Sequence, residues 1–183
     1  QDINQAELTY TEWETDLQMQ IDRVESDRPG YDEYRYQIDA IEHDPYILMG
    51  YLTSVYQNFS YTEIEGVLRQ LFEEQYSLTF TEETETRYRT ETQTDPVTGE
   101  ETEVEVPYEW HILNVKLTAK PMANLIVARM SADQREICEI LLQTKGNRQY
   151  VKNVFGTNWR PFVTSYYGYR VLPISGEKNY HTG

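Results

Sequence analysis

The chain has 183 residues and a net charge of -15, with 31 acidic against 16 basic side chains. That length suits one medium domain or two small ones and allows a buried core. The acidic balance excludes the basic footprint that nucleic-acid binding needs, the single cysteine, Cys138, excludes an intrachain disulfide, and no apolar run approaches a membrane span.

The charge is unevenly spread. Residues 1–144 hold 30 acidic and 10 basic side chains, a balance of -20, whereas residues 145–183 hold Glu177 against six basic residues, a balance of +5. A change of charge regime near Gly146 marks a domain boundary. The 16 tyrosines suit half-buried surfaces between short elements, since each ring carries an apolar body and a polar tip. No signal-peptide pattern is present, and both ends read as cut.

Ala6, Tyr10, Trp13, Leu17, Ile21 and Val24 recur at helical spacing and predict an amphipathic helix over residues 4–26. Arg28-Pro29-Gly30 ends it, because neither Pro nor Gly continues a helix cheaply. The next stretch, 31–42, is open between a short helix and an extended segment. Asp44-Pro45 pairs an N-cap acceptor with Pro at the first helical position and predicts a helix to Gln57. Ser60 and Glu63 form a capping box for a further helix ending near Gln75.

From residue 76 the period becomes two. Tyr76, Leu78 and Phe80 alternate outward, Val104, Val106, Tyr108, Trp110 and Ile112 alternate on the return, and Asp95-Pro96-Val97-Thr98-Gly99-Glu100 supplies the reversal. The expectation is a long antiparallel β-hairpin whose Thr/Glu-rich distal part is held by cross-strand pairs of Glu with Arg87 and Arg89. Apolar positions move from even to odd numbers at Leu113, Val115 and Leu117, which predicts a bulge of one extra residue. Beyond Pro121 and an apolar stretch to Met130, Ser131 and Gln134 make a second capping box for a helix over 132–144, stopped by Gly146. A linker, Asn147–Trp159, follows. Cys138 lies among Ile137, Ile140, Leu141 and Leu142 and reads as a small core hydrophobe.

The chain has three histidines. His43, just before the Asp44 cap, reads as a surface turn residue, and His111, in a strand, as a partner in a cross-strand polar contact. Neither has a second His, Cys or carboxylate at ligand spacing. His181 has a motif around it. The run Thr164-Ser165-Tyr166-Tyr167-Gly168-Tyr169-Arg170, followed by Pro173, Gly176 and His181-Thr182-Gly183, resembles the opening of the lysostaphin-type zinc metallopeptidases, which cut peptidoglycan cross-bridges. Leu172 stands where relatives commonly carry a His that is not a zinc ligand.

The resemblance implies that His181 is a zinc ligand, the His of a His-x-Gly-x-Asp motif. The Asp would fall two residues past Gly183, and a downstream His-x-His would supply the third ligand and a general base. A catalytic zinc site takes three protein ligands and an open position for water. This chain offers one, so it is expected to be inactive alone. Upstream, the runs Arg87–Thr92, Pro107–Val115 and Leu142–Arg148 are similar to cell-wall hydrolases on mobile elements of Gram-positive bacteria. There a helix-and-hairpin module precedes the catalytic domain.

Together these imply an α+β chain with a helix-plus-hairpin accessory module over 1–155 and the first strands of a β-rich metallopeptidase domain over 156–183. The implied whole is a zinc-dependent peptidoglycan endopeptidase at the Gram-positive cell surface, acting in conjugative transfer. The alternative is a non-catalytic scaffold that binds envelope or transfer-apparatus proteins.

Overall fold

The computed structural model describes residues 2–144 and the strands 167–171 and 178–182; the predicted stop at Gly146, the linker 147–159 and the side chains of those two strands lie outside the described residues. In chain order come helices α1 (Asp2–Asp22) and α2 (Val24–Asp27), strand β1 (Glu33–Ile38), helices α3 (Pro45–Tyr56) and α4 (Tyr61–Gln75), strands β2 (Tyr76–Thr94) and β3 (Glu101–Ala119), helices α5 (Met122–Val127) and α6 (Ala132–Gln143), and strands β4 (Tyr167–Val171) and β5 (Lys178–Thr182). The architecture is α+β, with a long hairpin in a mixed sheet. Two compact units arise, each from separate stretches of sequence: residues 1–16, 40–76 and 119–183 form one, and residues 17–39 and 77–118 the other.

The first unit is helical where its side chains are described. Its core buries Ala6, Tyr10, Leu48, Tyr51, Leu52, Ile64, Leu68, Leu71, Ile126, Cys138 and Leu141. Helix α3 starts as predicted: the Asp44 carboxylate accepts from the Tyr46 amide at 2.8 Å, and Pro45 sits where no amide donor is missed. The capping box of α6 closes both ways, with the Gln134 amide donating to Ser131 Oγ at 3.2 Å and the Ser131 amide donating to Gln134 Oε1 at 2.9 Å. Helix α3 packs on α6, and Gly50 sets how close they come: a Cβ there would stand 3.1 Å from Cys138 Sγ. Cys138 is fully buried and free, and burial pushes its thiol pKa up to about 12, the behaviour of an inert core residue.

The second unit is a three-stranded sheet in the order β1-β3-β2, with α2 and the end of α1. The stretch left open by its residues is strand β1, which pairs parallel to β3 from Glu33 opposite Ile112 to Ile38 opposite Leu117. Val24, Leu113 and Val115 form the buried centre, with Tyr31, Tyr34, Ile38, Leu78 and Phe80 packed around it. The Arg28 guanidinium lies 3.8 Å over the Phe80 ring. The hairpin turn is built from Asp95, whose carboxylate accepts from the Val97 amide at 2.7 Å and the Thr98 amide at 3.1 Å. Gly99, at φ +72°, supplies the left-handed residue that closes it.

The predicted bulge is absent. Lys120 donates to the Gln75 carbonyl at one end of the hairpin and Asp95 to the Glu100 carbonyl at the other, both at 2.8 Å, so one register spans its whole length with no net insertion. The change from even to odd apolar positions has another cause. The two halves of β3 cover opposite faces, and Ile112 and Leu113, adjacent in sequence, are both fully buried where the change occurs.

Candidate functional site

His181, the residue singled out by its motif, lies on β5. Strands β4 and β5 form an antiparallel ladder in which Gly168 stands opposite His181 and Tyr167 opposite Thr182. A glycine opposite His181 leaves that cross-strand position without a side chain. Among the described residues no group of three or more His, Cys, Asp or Glu could hold a metal ion.

The most strongly perturbed titratable cluster lies elsewhere, in the first unit, around His43. Its side chain is only 3 % exposed, which corrects the expectation of a surface turn residue. His43 Nδ1 lies 2.9 Å from a Glu14 carboxylate oxygen, and Nε2 lies 3.0 Å from both oxygens of Glu7. The two carboxylates stand two turns apart on one face of α1. Tyr76 hydrogen-bonds to Glu14 through its hydroxyl, which also lies 3.1 Å from the Glu42 carbonyl oxygen. Tyr10 packs edge-on to the imidazole at 4.8 Å between ring centres and donates its hydroxyl to Gln75 Oε1 at 2.6 Å.

Burial alone would pull the pKa of His43 down. Hydrogen bonds to Glu14 and Glu7 outweigh it and hold the imidazolium up to about 9, so both ring nitrogens donate at neutral pH. Burial raises the phenol pKa values of Tyr10 and Tyr76, which stay protonated as donors. With each ring nitrogen directed at a carboxylate, the cluster has the form of a buried ion knot. One sequence signal pointed to it: Glu14 falls inside the apolar stripe of Tyr10, Trp13 and Leu17, and a carboxylate there needs a cationic partner.

The second unit carries a charged lattice on the sheet face that shows Glu33, Arg35, Glu85, Arg87 and Trp110. Arg35 binds Glu33 at 2.7 Å and Glu85 at 3.1 Å, while Arg87 binds Glu33 and Glu85, each at 3.1 Å. Trp110 donates its indole N–H to Glu33 at 2.8 Å, and Arg87 lies 4.2 Å over the same ring. The hydrogen bond from Arg35, then that from Trp110, lowers the Glu33 carboxyl to about 2. The predicted Glu–Arg pairs thus form along β2 and with β1, not between β2 and β3, because β3 presents Tyr108 and Trp110 beneath the two arginines. His111 makes the expected polar contact across the strands, 3.4 Å from Thr84 Oγ1.

No protein-family model, curated protein or solved structure matches the chain.

Proposed function

We propose that the chain is the accessory module and catalytic-domain opening of a zinc-dependent peptidoglycan endopeptidase that acts at the Gram-positive cell surface in conjugative transfer of a mobile element. The observation that carries this reading is the β4–β5 ladder, in which the motif residues Gly168 and His181 face each other on antiparallel strands. Adjacent antiparallel strands at the opening of a β-rich domain have that form. The zinc of such enzymes, when bound, polarises the scissile carbonyl and activates water. The contribution of this chain would be one imidazole, His181, and the remaining ligands would come from residues past Gly183.

The acidic helix-and-hairpin part, 1–155, then serves as a non-catalytic module. Two of its ionisable clusters are held internally, with His43 bound by Glu7 and Glu14 and Glu33 by Arg35, Arg87 and Trp110. A second reading, a scaffold for envelope or transfer-apparatus proteins, is favoured by the reach of the hairpin beyond β1, where Glu101, Glu103 and Glu105 are exposed. Calorimetric titration of the chain with zinc tests the first reading. Weak binding is expected from a single imidazole. Tight stoichiometric binding abolished by His181→Ala would contradict the assignment of the other ligands to residues beyond Gly183.

A further inference from the structure

Strand β2 is the outer strand of its sheet, with β3 as its only neighbour among the described residues. The bonds that join Gln75 to Lys120 and Asp95 to Glu100 make the odd-numbered residues of β2 the ones bonded toward β3. Its even-numbered residues, among them Glu82, Thr84, Thr86, Tyr88 and Thr90, therefore turn their backbone N–H and C=O groups outward. By the same alternation the odd-numbered residues of β3 face the other edge, where His111 and Leu117 accept from Asp32 and Asp39. Beyond the start of β1 that edge carries Pro107, which has no N–H at an outward-facing position. Natural sheets blunt exposed edges in this way.

The β2 edge has no such protection. No proline and no lysine occurs between Tyr76 and Thr94. The order of charges on it is Glu83-Thr84-Glu85-Thr86-Arg87-Tyr88-Arg89, which reads as its own charge-inverted image about Thr86. An antiparallel strand of the same sequence, centred on Thr86, sets Glu85 opposite Arg87 and Glu83 opposite Arg89, twice over by symmetry. All these side chains share one face, since all four positions are odd. They also fall at the non-hydrogen-bonded pairs of the new ladder, where opposed side chains come closest. Arg89 is well placed for this, with its side chain 61 % exposed and an ion pair to Glu91 on the same strand.

We propose that two copies of this chain associate through their β2 edges, antiparallel about Thr86, to give a continuous sheet in the order β1-β3-β2-β2-β3-β1. The interface is isologous, so it closes at two copies and does not propagate. Its charge order is also a specificity device, because a shift of one hydrogen-bonded step brings Arg87 opposite Arg87 and Glu83 opposite Glu91 in one direction, and Glu85 opposite Glu85 in the other.

Light scattering and sedimentation across a dilution series of the full chain test this. The wild type is expected to be a reversible dimer. Glu85→Arg, which sets arginines against each other at two symmetric places, is expected to weaken the dimer about tenfold or more. The double variant Glu85→Arg with Arg87→Glu restores opposite charges across the two-fold axis and is expected to recover the dimer. Thr86→Cys is expected to form a covalent dimer under mild oxidation, whereas Thr92→Cys, far from the axis, is not. A chain that stays monomeric throughout the series, a dimer indifferent to Glu85→Arg, or equal cross-linking at positions 86 and 92 would overturn the proposal.

Discussion

Replacing His43 by Gln removes the cation from between two buried carboxylates and keeps a polar side chain of similar reach. In the folded chain the imidazolium titrates at about 9, against the ordinary 6.5. A rise of that size carries about 3 kcal/mol of stability. The group is almost wholly buried, at 3 % exposure, so solvent screening takes little of this away. An independent bound agrees: removing one partner of a buried ion pair costs about 3–5 kcal/mol, and the partial exposure of Glu7 favours the lower end.

The sign follows from the raised pKa. Stabilisation is fully present below the unfolded pKa of 6.5 and is lost as pH rises through about 9. Urea denaturation followed by the helical circular-dichroism signal, for wild type and His43→Gln, should give a stability difference about 3 kcal/mol larger at about pH 6 than at about pH 9.5. A difference independent of pH, or one that grows with pH, would refute the reasoning.

Two glycines in helices of the first unit should respond in opposite ways. A Cβ at Gly66 meets nothing within 4 Å, so Gly66→Ala should stabilise by about 0.5–1 kcal/mol in chemical denaturation, as expected for an open helical site. At Gly50, 3.1 Å from Cys138 Sγ, Gly50→Val should cost about 1–3 kcal/mol in the same measurement, because α3 would have to move off α6. In the sheet, NMR titration of Glu33 should place its midpoint near 2 in the wild type, with an upward move in Trp110→Phe and a larger one in Arg35→Gln. An unchanged midpoint in Arg35→Gln would remove that arginine as the main cause.

Much of the fold was legible wherever the signal is local. Asp44-Pro45 and the Ser131–Gln134 box mark helix starts because the orphan amides of a first turn are satisfied by residues within three positions. The hairpin was legible from alternation and from the Asp95–Glu100 turn. What was not legible was non-local. Glu33-Tyr34-Arg35-Tyr36-Gln37-Ile38 alternates as a strand does, but its parallel partner lies some eighty positions away, and nothing in the segment names it. The even-to-odd change on β3 looked like an inserted residue because one strand was assumed to bury one face throughout. His43 looked exposed because its neighbours are turn residues, whereas its carboxylate partners come from α1, brought to it only by tertiary packing.

The most direct measurement for the proposed function uses the gene's own reading frame past Gly183. The chain extended along it should release dye from labelled Gram-positive sacculi in the presence of zinc, lose that activity to a chelator, and lose it again on His181→Ala. Absence of zinc-dependent release, or release that survives His181→Ala, would contradict the account and leave the scaffold reading in its place.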